Sequence, residues 1–518
     1  MRAPLFEKGS PMSVFFRRSC GAAIVYAIAT QCAWADLTAD DVWADWQAYL
    51  GGMGYVVTGD KSSAGDVTTI ANMSMAMQIP EADGQFEMSI PEMTLTENGD
   101  GTVSIDFPAS FPVSVAGEGE GEKFSAQLTY THDALKMLVS GSPEDMTYDY
   151  SANNLGIALT SVEADGEVLS SNVLQMTLNM ANIAGASQMK IGDVRDMVQS
   201  FSAGNLAYYI AFDDPESSDS GKIAGSAGQL TFEGQGTMPE VADATNFQKL
   251  IEAGFAFTGA FTYENGATQI SGSDSSDVFD MTLASASGRV AVGMDGKGIG
   301  YDIAHNNVNL GVTAPDLPFP VEMAMAKAGF KFDLPIQASD EEQPFGLSMN
   351  LTEFTVSDFL WGMVDPEGAL PRDPATISLD TSGTAKVLVN FLDPAVAETL
   401  EATNDAPGEL HSLKINELLV SVVGAKLTGD GEFTFDNSNV EDFDGMPAPT
   451  GQANLQLVGA NGLIDKLIGM GLMSENDAMG ARMMMGMMAV PGEEPDTLNS
   501  TIEVKADGQI LANGQRIK

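Results

Sequence analysis

Apolar and polar residues alternate with a period of two through most of the chain, as in strands that turn one face to a core and one to water. Met93-Thr94-Leu95 and Val103-Ser104-Ile105 flank Asn98-Gly99-Asp100-Gly101, and Phe261-Thr262-Tyr263 and Thr268-Gln269-Ile270 flank Asn265-Gly266. Arg289-Val290-Ala291-Val292 runs into Asp295-Gly296, while residues 418–422 and 432–435 flank Thr428-Gly429-Asp430-Gly431. Asn-Gly and Asp-Gly supply the positive φ that tight turns need, so each block predicts an antiparallel hairpin. The 54 glycines suit such a turn-dense chain. The expected fold class is mainly β, with long antiparallel sheets and hairpins and a few amphipathic helices.

Helical spacing appears in four stretches. Thr38, with Asp41 three residues on, caps a helix whose apolar face is Val42, Trp43, Trp46 and Leu50 and which Gly51-Gly52 ends. Residues 188–201 place Met189, Val194, Met197, Val198 and Phe201 on one helical side, and residues 247–253 predict a shorter helix. Residues 463–488 carry Leu463, Leu467, Met470 and Leu472, a break at Ser474-Glu475-Asn476, then Met479, Met483, Met484 and Met487, with Ser474 as the second cap.

Two stretches read as internal duplications. Leu50, Gly54, Tyr55, Thr58 and Gly59 recur as Leu250, Gly254, Phe255, Thr258 and Gly259, an offset of 200. Tyr148-Asp149 and Asn153-Asn154 recur as Tyr301-Asp302 and Asn306-Asn307, an offset of 153. The expected organisation is a β-rich unit over 36–238, a second and related unit over 239–338, and a C-terminal β region with a Met-rich helical segment over 339–518. The acidic, proline-punctuated stretch 337–344 marks the second boundary.

The first 35 residues read as a secretory leader: Arg17-Arg18, a short apolar run over 21–29, then Ala33-Trp34-Ala35, with cleavage between Ala35 and Asp36. Met12 is an alternative start. Gln31 before Cys32 departs from a lipoprotein signal. Cleavage removes both cysteines, Cys20 and Cys32, and with them any disulfide, thiolate metal site or thiol nucleophile. It also takes the net charge from −48 to −51. A field of that sign repels nucleic acid and anionic lipid surfaces. No other run of 18 apolar residues exists, so no transmembrane segment is expected after processing. The export signal points to the periplasm of a Gram-negative bacterium.

Little in the chain points to catalysis or metal binding. His132, His305 and His411 are scattered, with no His-x-x-x-His pair for zinc, and read as surface or satisfied structural residues. Thr96 to Gly101 has half an EF-hand loop, but Phe107 occupies the position of the bidentate Glu. Asp213-Asp214-Pro215-Glu216-Ser217-Ser218-Asp219 reads as a solvated loop. Residues 54–62 resemble a phosphate loop, but Asp60 follows the second glycine where lysine is required. Ser187-Gln188-Met189-Lys190 lacks its Lys-Thr-Gly partner, and there is no Gly-x-Ser-x-Gly elbow. No catalytic residue, cofactor or metal is assigned. Paired carboxylates of a hydrolase stay open on residue type alone.

The methionine cluster is the most distinctive local feature. Met479, Met483, Met484, Met487 and Met488 make a soft helical surface with three readings: core filling, a surface for an apolar ligand or partner, or thioether copper binding.

The last third resembles a bacterial family described as a domain of unknown function, number 2125. The resemblance rests on Ser357-Asp358-Phe359-Leu360-Trp361, Asp365-Pro366 and Leu370-Pro371-Arg372-Asp373-Pro374-Ala375-Thr376. It continues in Gly429-Asp430-Gly431-Glu432-Phe433-Thr434-Phe435-Asp436-Asn437, Gly459-Ala460-Asn461-Gly462-Leu463-Ile464-Asp465, Arg482-Met483-Met484 and Ala512-Asn513-Gly514-Gln515-Arg516-Ile517. It implies an envelope setting and no activity. A looser likeness to AsmA-type β-rich envelope proteins, through Gly-x-Gly-x-Phe-x-Phe-Asp, implies an apolar groove for lipids. Trp361 and Arg372 are expected to be structural, the Trp buried and the Arg paired with Asp365 or Asp373. The function expected is non-enzymatic: binding of an apolar or lipid ligand or of an envelope protein partner. A structural or assembly role and a carboxylate hydrolase are the alternatives.

Overall fold

The computed structural model describes residues 36–79, 84–119, 122–164, 166–169, 173–214, 217, 219–239, 247–274, 277–393, 396, 400, 406–438 and 446–518. The expected leader and Ala35 lie outside these residues; Asp36 is the first of them and is exposed.

The chain is mainly β, in one antiparallel sheet. Helix α1 (Ala39–Gly52) comes first, followed by β1 (Val56–Ala64), β2 (Val67–Ile79), β3 (Gly84–Glu97) and β4 (Val103–Asp106). Next are β5 (Ser110–Gly119), β6 (Glu122–Asp133), β7 (Lys136–Ser142), β8 (Asp145–Ala164) and a spur, β9 (Glu167–Val168). Strands β10 (Leu174–Ile191), β11 (Val194–Ala203), β12 (Asn205–Asp213), β13 (Ser220–Ala227) and β14 (Leu230–Pro239) lead to α2 (Phe247–Glu252). Long strands follow: β15 (Ala256–Asp274), β16 (Asp277–Met294), β17 (Gly298–Thr313), β18 (Val321–Pro335) and β19 (Gln343–Val356). After α3 (Asp358–Val364) come β20 (Ala375–Val387), β21 (Gly408–Val422), β22 (Ala425–Asp436) and β23 (Ala448–Val458). The chain closes with α4 (Ala460–Gly469), α5 (Glu475–Met488), β24 (Val490–Pro491), β25 (Thr497–Val504), β26 (Ile510–Ala512) and β27 (Gln515–Arg516).

Neighbours along the sheet are β1, β2 and β3, then two ranks of paired short strands before β8. Strand β3 pairs with β4 and β5 end to end, and β8 with β7 and β6. Strand β8 pairs with β10, after which the arrangement recurs: β10 pairs with β11 and β12, and β15 with β14 and β13. From β15 to β23 each strand pairs with the next, and β25 and β26 extend the edge. The ladder is unbroken where the sequence suggests unit boundaries, at β14–β15 and at β18–β19.

The similarity at offset 200 coincides with a shared helix exit. Leu50 O accepts from Tyr55 N at 3.0 Å and Leu250 O from Phe255 N at 2.9 Å. Gly54 and Gly254 take φ of 90° and 102°, open to glycine and strained for L side chains. The recurrence of paired short strands relates different elements, β3–β8 to β10–β15.

A crease crosses the sheet. Asn72, Asn182, Asn265, Asn307 and Glu353 have positive φ in mid-strand, in line with the breaks at Gly204 between β11 and β12 and at Gly228 between β14 and β13. At this line side-chain alternation skips a step. A Cβ on Gly266 would lie 2.4 Å from the ring of Tyr263, so these two residues share a face although three positions apart. The skip keeps one face apolar on both sides of the bend. Asn265-Gly266 is therefore a kink inside β15 rather than the expected hairpin turn. Thr428 to Gly431 likewise lie inside β22, whose turn is Val423-Gly424, both at positive φ. Asn98 to Gly101 and Asp295-Gly296 do form turns.

Residues 188–201 are not helical: they are the end of β10, a bend at Gly192-Asp193, and β11. Met189 and Met197 are cross-strand partners, so two period-two arms joined by a short turn mimic helical spacing. Helix α1 is capped as expected, Thr38 Oγ1 accepting from Asp41 N at 3.2 Å and Asp41 Oδ2 from Thr38 N at 3.0 Å. Its Val42 and Trp43 pack with Ile70, Met93, Leu95, Val103, Val139 and Met146 in the main core.

Candidate functional site

The apolar face is continuous from strand to strand. Phe201, Phe232, Phe261, Val290, Ile303, Phe330, Met349, Leu379, Leu418, Gly429 and Leu455 are successive cross-strand partners from β11 to β23. Beside this row runs Tyr263, Gly288, His305, Ala328, Leu351, Ile377, Val420, Leu427, Leu457 and Leu498. Across the crease, Phe111, Tyr130, Ile157, Leu178, Tyr208, Gly225, Thr268, Leu283, Leu310, Met323 and Val356 form a third. These rows contain no Asp, Glu, Lys or Arg. At roughly 4.8 Å per strand the first row extends about 50 Å.

Side chains from the two halves meet at the bend. Tyr150, Phe201, Phe261 and Tyr263 from one half pack with Leu155, Met180, Leu206 and Ala227 from the other, around buried Ala152, Ile183, Ala203 and Leu230. On the outside of a crease such groups would splay apart, so the apolar face is the concave one and forms a trough. The opposite face is polar, with Asp302, Lys331, Ser348, Asp380 and Glu417 in register.

Helix α1 closes one end of the trough. Its Asp45 is buried, accepts a 2.6 Å hydrogen bond from Tyr148 Oη and is ion-paired with Arg195, both on the apolar face. Burial, and then the Asp45 charge, hold the Tyr148 phenol protonated. At the far end Ser500, partner of Leu455, donates to the Met488 carbonyl at 2.5 Å. The end of α5 thus sits on the trough side. In between, the floor is open to solvent: Phe330 and Met349 are each 40 % exposed, and Leu334, Leu347 and Ile377 are similar. A cavity of about 200 Å³ on the distal half is lined by Leu159, Leu169, Leu174 and Met176.

Of the residues singled out in sequence, Met479, Met483, Met484, Met487 and Met488 all lie exposed on α5, Met483 at 64 %. Only Ala478 of this helix is buried, so core filling is excluded for these five. Met479, Met483 and Met487 form a stripe at four-residue spacing. Arg482 faces the other way, bound to Asp465 and Asn461 of α4 at 2.6 and 3.3 Å.

In the family-like segment Asp365 is buried and accepts from Ala369 N and Leu370 N, both at 2.8 Å. Desolvation raises its pKa, but those two N–H groups and the Arg372 charge outweigh it, so the carboxyl lies below its ordinary range. Arg372 pairs with Asp358 at 2.9 Å rather than with Asp365 or Asp373, because backbone donors occupy the Asp365 oxygens. Trp361 is half-buried, not buried, on α3.

The trough floor carries a hydroxyl pair, Tyr208 and Thr268 at 2.7 Å, and a polar cluster built on one of the three scattered histidines. Tyr263 Oη lies 2.9 Å from His305 Nδ1 and 2.8 Å from Ser285 Oγ. Gly266 and Gly288 make room for the Tyr263 ring, since a Cβ at Gly288 would approach within 2.2 Å. Only the cross-strand register, 263 to 288 to 305, brings them together.

Among the described residues no group of three His, Cys, Asp or Glu could hold a metal ion, and no helix is long and apolar enough to cross a membrane. The carboxyl groups displaced from their ordinary range, Asp100, Asp365, Asp436 and Asp496, all move down, whereas a catalytic acid needs the reverse. No protein-family model, no curated protein and no solved structure matches the chain.

Proposed function

We propose that the protein binds long apolar molecules, such as acyl chains, along the creased trough and does no chemistry on them. The observation that carries this reading is the uncharged row from Phe201 to Leu455, left open over its middle. Water against so much apolar surface is unfavourable by about 25 cal/mol per Å², and a contiguous open patch of this kind marks a binding surface. A ligand laid along the rows, across the strands, removes that contact. The leader-like first 35 residues and the resemblance of the last third to an envelope family favour the periplasm as the setting.

A second reading, docking of an envelope protein on α5, is favoured by its exposed methionine stripe, since Met adapts to varied apolar partners. The two readings part in one experiment. Purified protein is extracted for lipid, delipidated, and offered long-chain lipids under native mass spectrometry. Copurifying or reacquired apolar adducts support the trough; protein that takes up none leaves the helix as the functional surface.

A further inference from the structure

Tyr263, Ser285 and His305 place three polar groups in a largely apolar, uncharged floor; the other polar pair, Tyr208 and Thr268 across the crease, is closed on itself at 2.7 Å. Such a cluster costs stability unless it is hydrogen-bonded, and here it is, except at one atom. His305 Nε2 has no hydrogen-bond partner among the described residues, whereas Nδ1 faces the Tyr263 hydroxyl. When Ser285 Oγ donates to the Tyr263 oxygen, the phenol proton is left for Nδ1 and the imidazole proton then sits on Nε2. Burial holds His305 below its ordinary range, so the ring is neutral near pH 7 and offers a donor rather than a charge.

The surroundings select against an anionic ligand group. Flanking floor residues such as Ala328 and Leu351 carry no cation, and turns at the trough's lips carry Asp295, Asp274 and Asp277. A carboxylate drawn into this place loses hydration without gaining an ion pair. An uncharged oxygen acceptor needs one N–H only.

We propose that His305 Nε2, oriented by Tyr263, anchors the ester carbonyl of a neutral long-chain acyl ester lying in the trough. This rests on the trough reading and adds the polar group of its ligand. The test is displacement of an environment-sensitive apolar fluorophore from the intact protein by three compounds of one chain length: the methyl ester, the free carboxylate and the alkane. The ester is expected to bind most tightly. His305→Phe should weaken the ester about five- to tenfold, as for one neutral hydrogen bond, and leave the alkane within about twofold. His305→Gln, which keeps a side-chain N–H donor, should restore most of the ester affinity; a matching melting temperature for each variant shows that the fold is kept. Ester affinity unchanged in His305→Phe, or a carboxylate binding as tightly as the ester, overturns the anchor while the trough stands. Displacement by none of the three overturns both.

Discussion

The Tyr148 hydroxyl on β8 donates at 2.6 Å to the carboxylate of Asp45 on α1, 103 residues earlier, and the other oxygen of Asp45 holds Arg195. The pair fixes the helix on the sheet where the trough begins. Removing one partner of a buried ion pair leaves an uncompensated charge, so Asp45→Ala should cost about 3–5 kcal/mol in urea unfolding. Tyr148→Phe, which removes a hydrogen bond to a buried carboxylate, should cost about 1.5–3 kcal/mol. The double change Asp45→Leu with Arg195→Met should cost less than Asp45→Ala alone, since no charge is stranded.

Met349 and Ser348 are consecutive but lie on opposite faces. Met349→Lys puts a charge on the trough floor at a half-open position and should leave stability within about 0.5 kcal/mol. It should weaken lipid uptake about tenfold, because an ammonium cannot be buried under an acyl chain unpaired. Ser348→Lys, on the polar face, should leave uptake unchanged. Fluorescence titration with a long-chain probe compares the two.

Much of this architecture follows from local rules. The capping box at Thr38, the helix break at Ser474 and the turns at Asn98 and Asp295 each use chemistry within four residues. Two departures share one cause. Asn265-Gly266 reads as a turn because its φ is turn-like, yet cross-strand pairing continues through it. Met189 and Met197 read as one helical face because nothing local distinguishes a helix from two arms of a hairpin. The trough itself depends on register, in which Phe201 is aligned with residues more than 200 positions away, and no window along the chain contains that. Nothing local distinguishes His305 for the same reason.

Asp365 and Asp496 make the stability acid-sensitive. Asp496 accepts from Asn461 N and Gly462 N at 3.1 and 2.9 Å, capping α4 from the strand side. Desolvation raises its pKa, but these bonds outweigh it and the carboxyl lies below its ordinary range, as for Asp365. A depressed native pKa contributes stability that is fully present above the unfolded value, 3.8, and is lost as pH falls through the native one. Melting temperature should fall below about pH 4, and Asp496→Asn should flatten part of that fall.

The formal charge of −48 implies self-repulsion in the folded state. Raising ionic strength from about 0.15 M to 1 M shortens the screening length from about 8 to 3 Å. The melting temperature should rise with sodium chloride over that range. A flat response would mean that the acids are too dispersed over the elongated sheet for repulsion to matter.

Whether one face of the sheet receives apolar ligands and the other does not is read by a dye placed on each. In protein lacking the first 35 residues, which has no other cysteine, Met349→Cys and Ser348→Cys are labelled with the same environment-sensitive fluorophore and titrated with a long-chain ester. The emission of the Met349→Cys conjugate is predicted to shift to the blue and saturate, while the Ser348→Cys conjugate stays constant. Equal shifts at both positions, or none at Met349→Cys, would contradict binding on the apolar face alone.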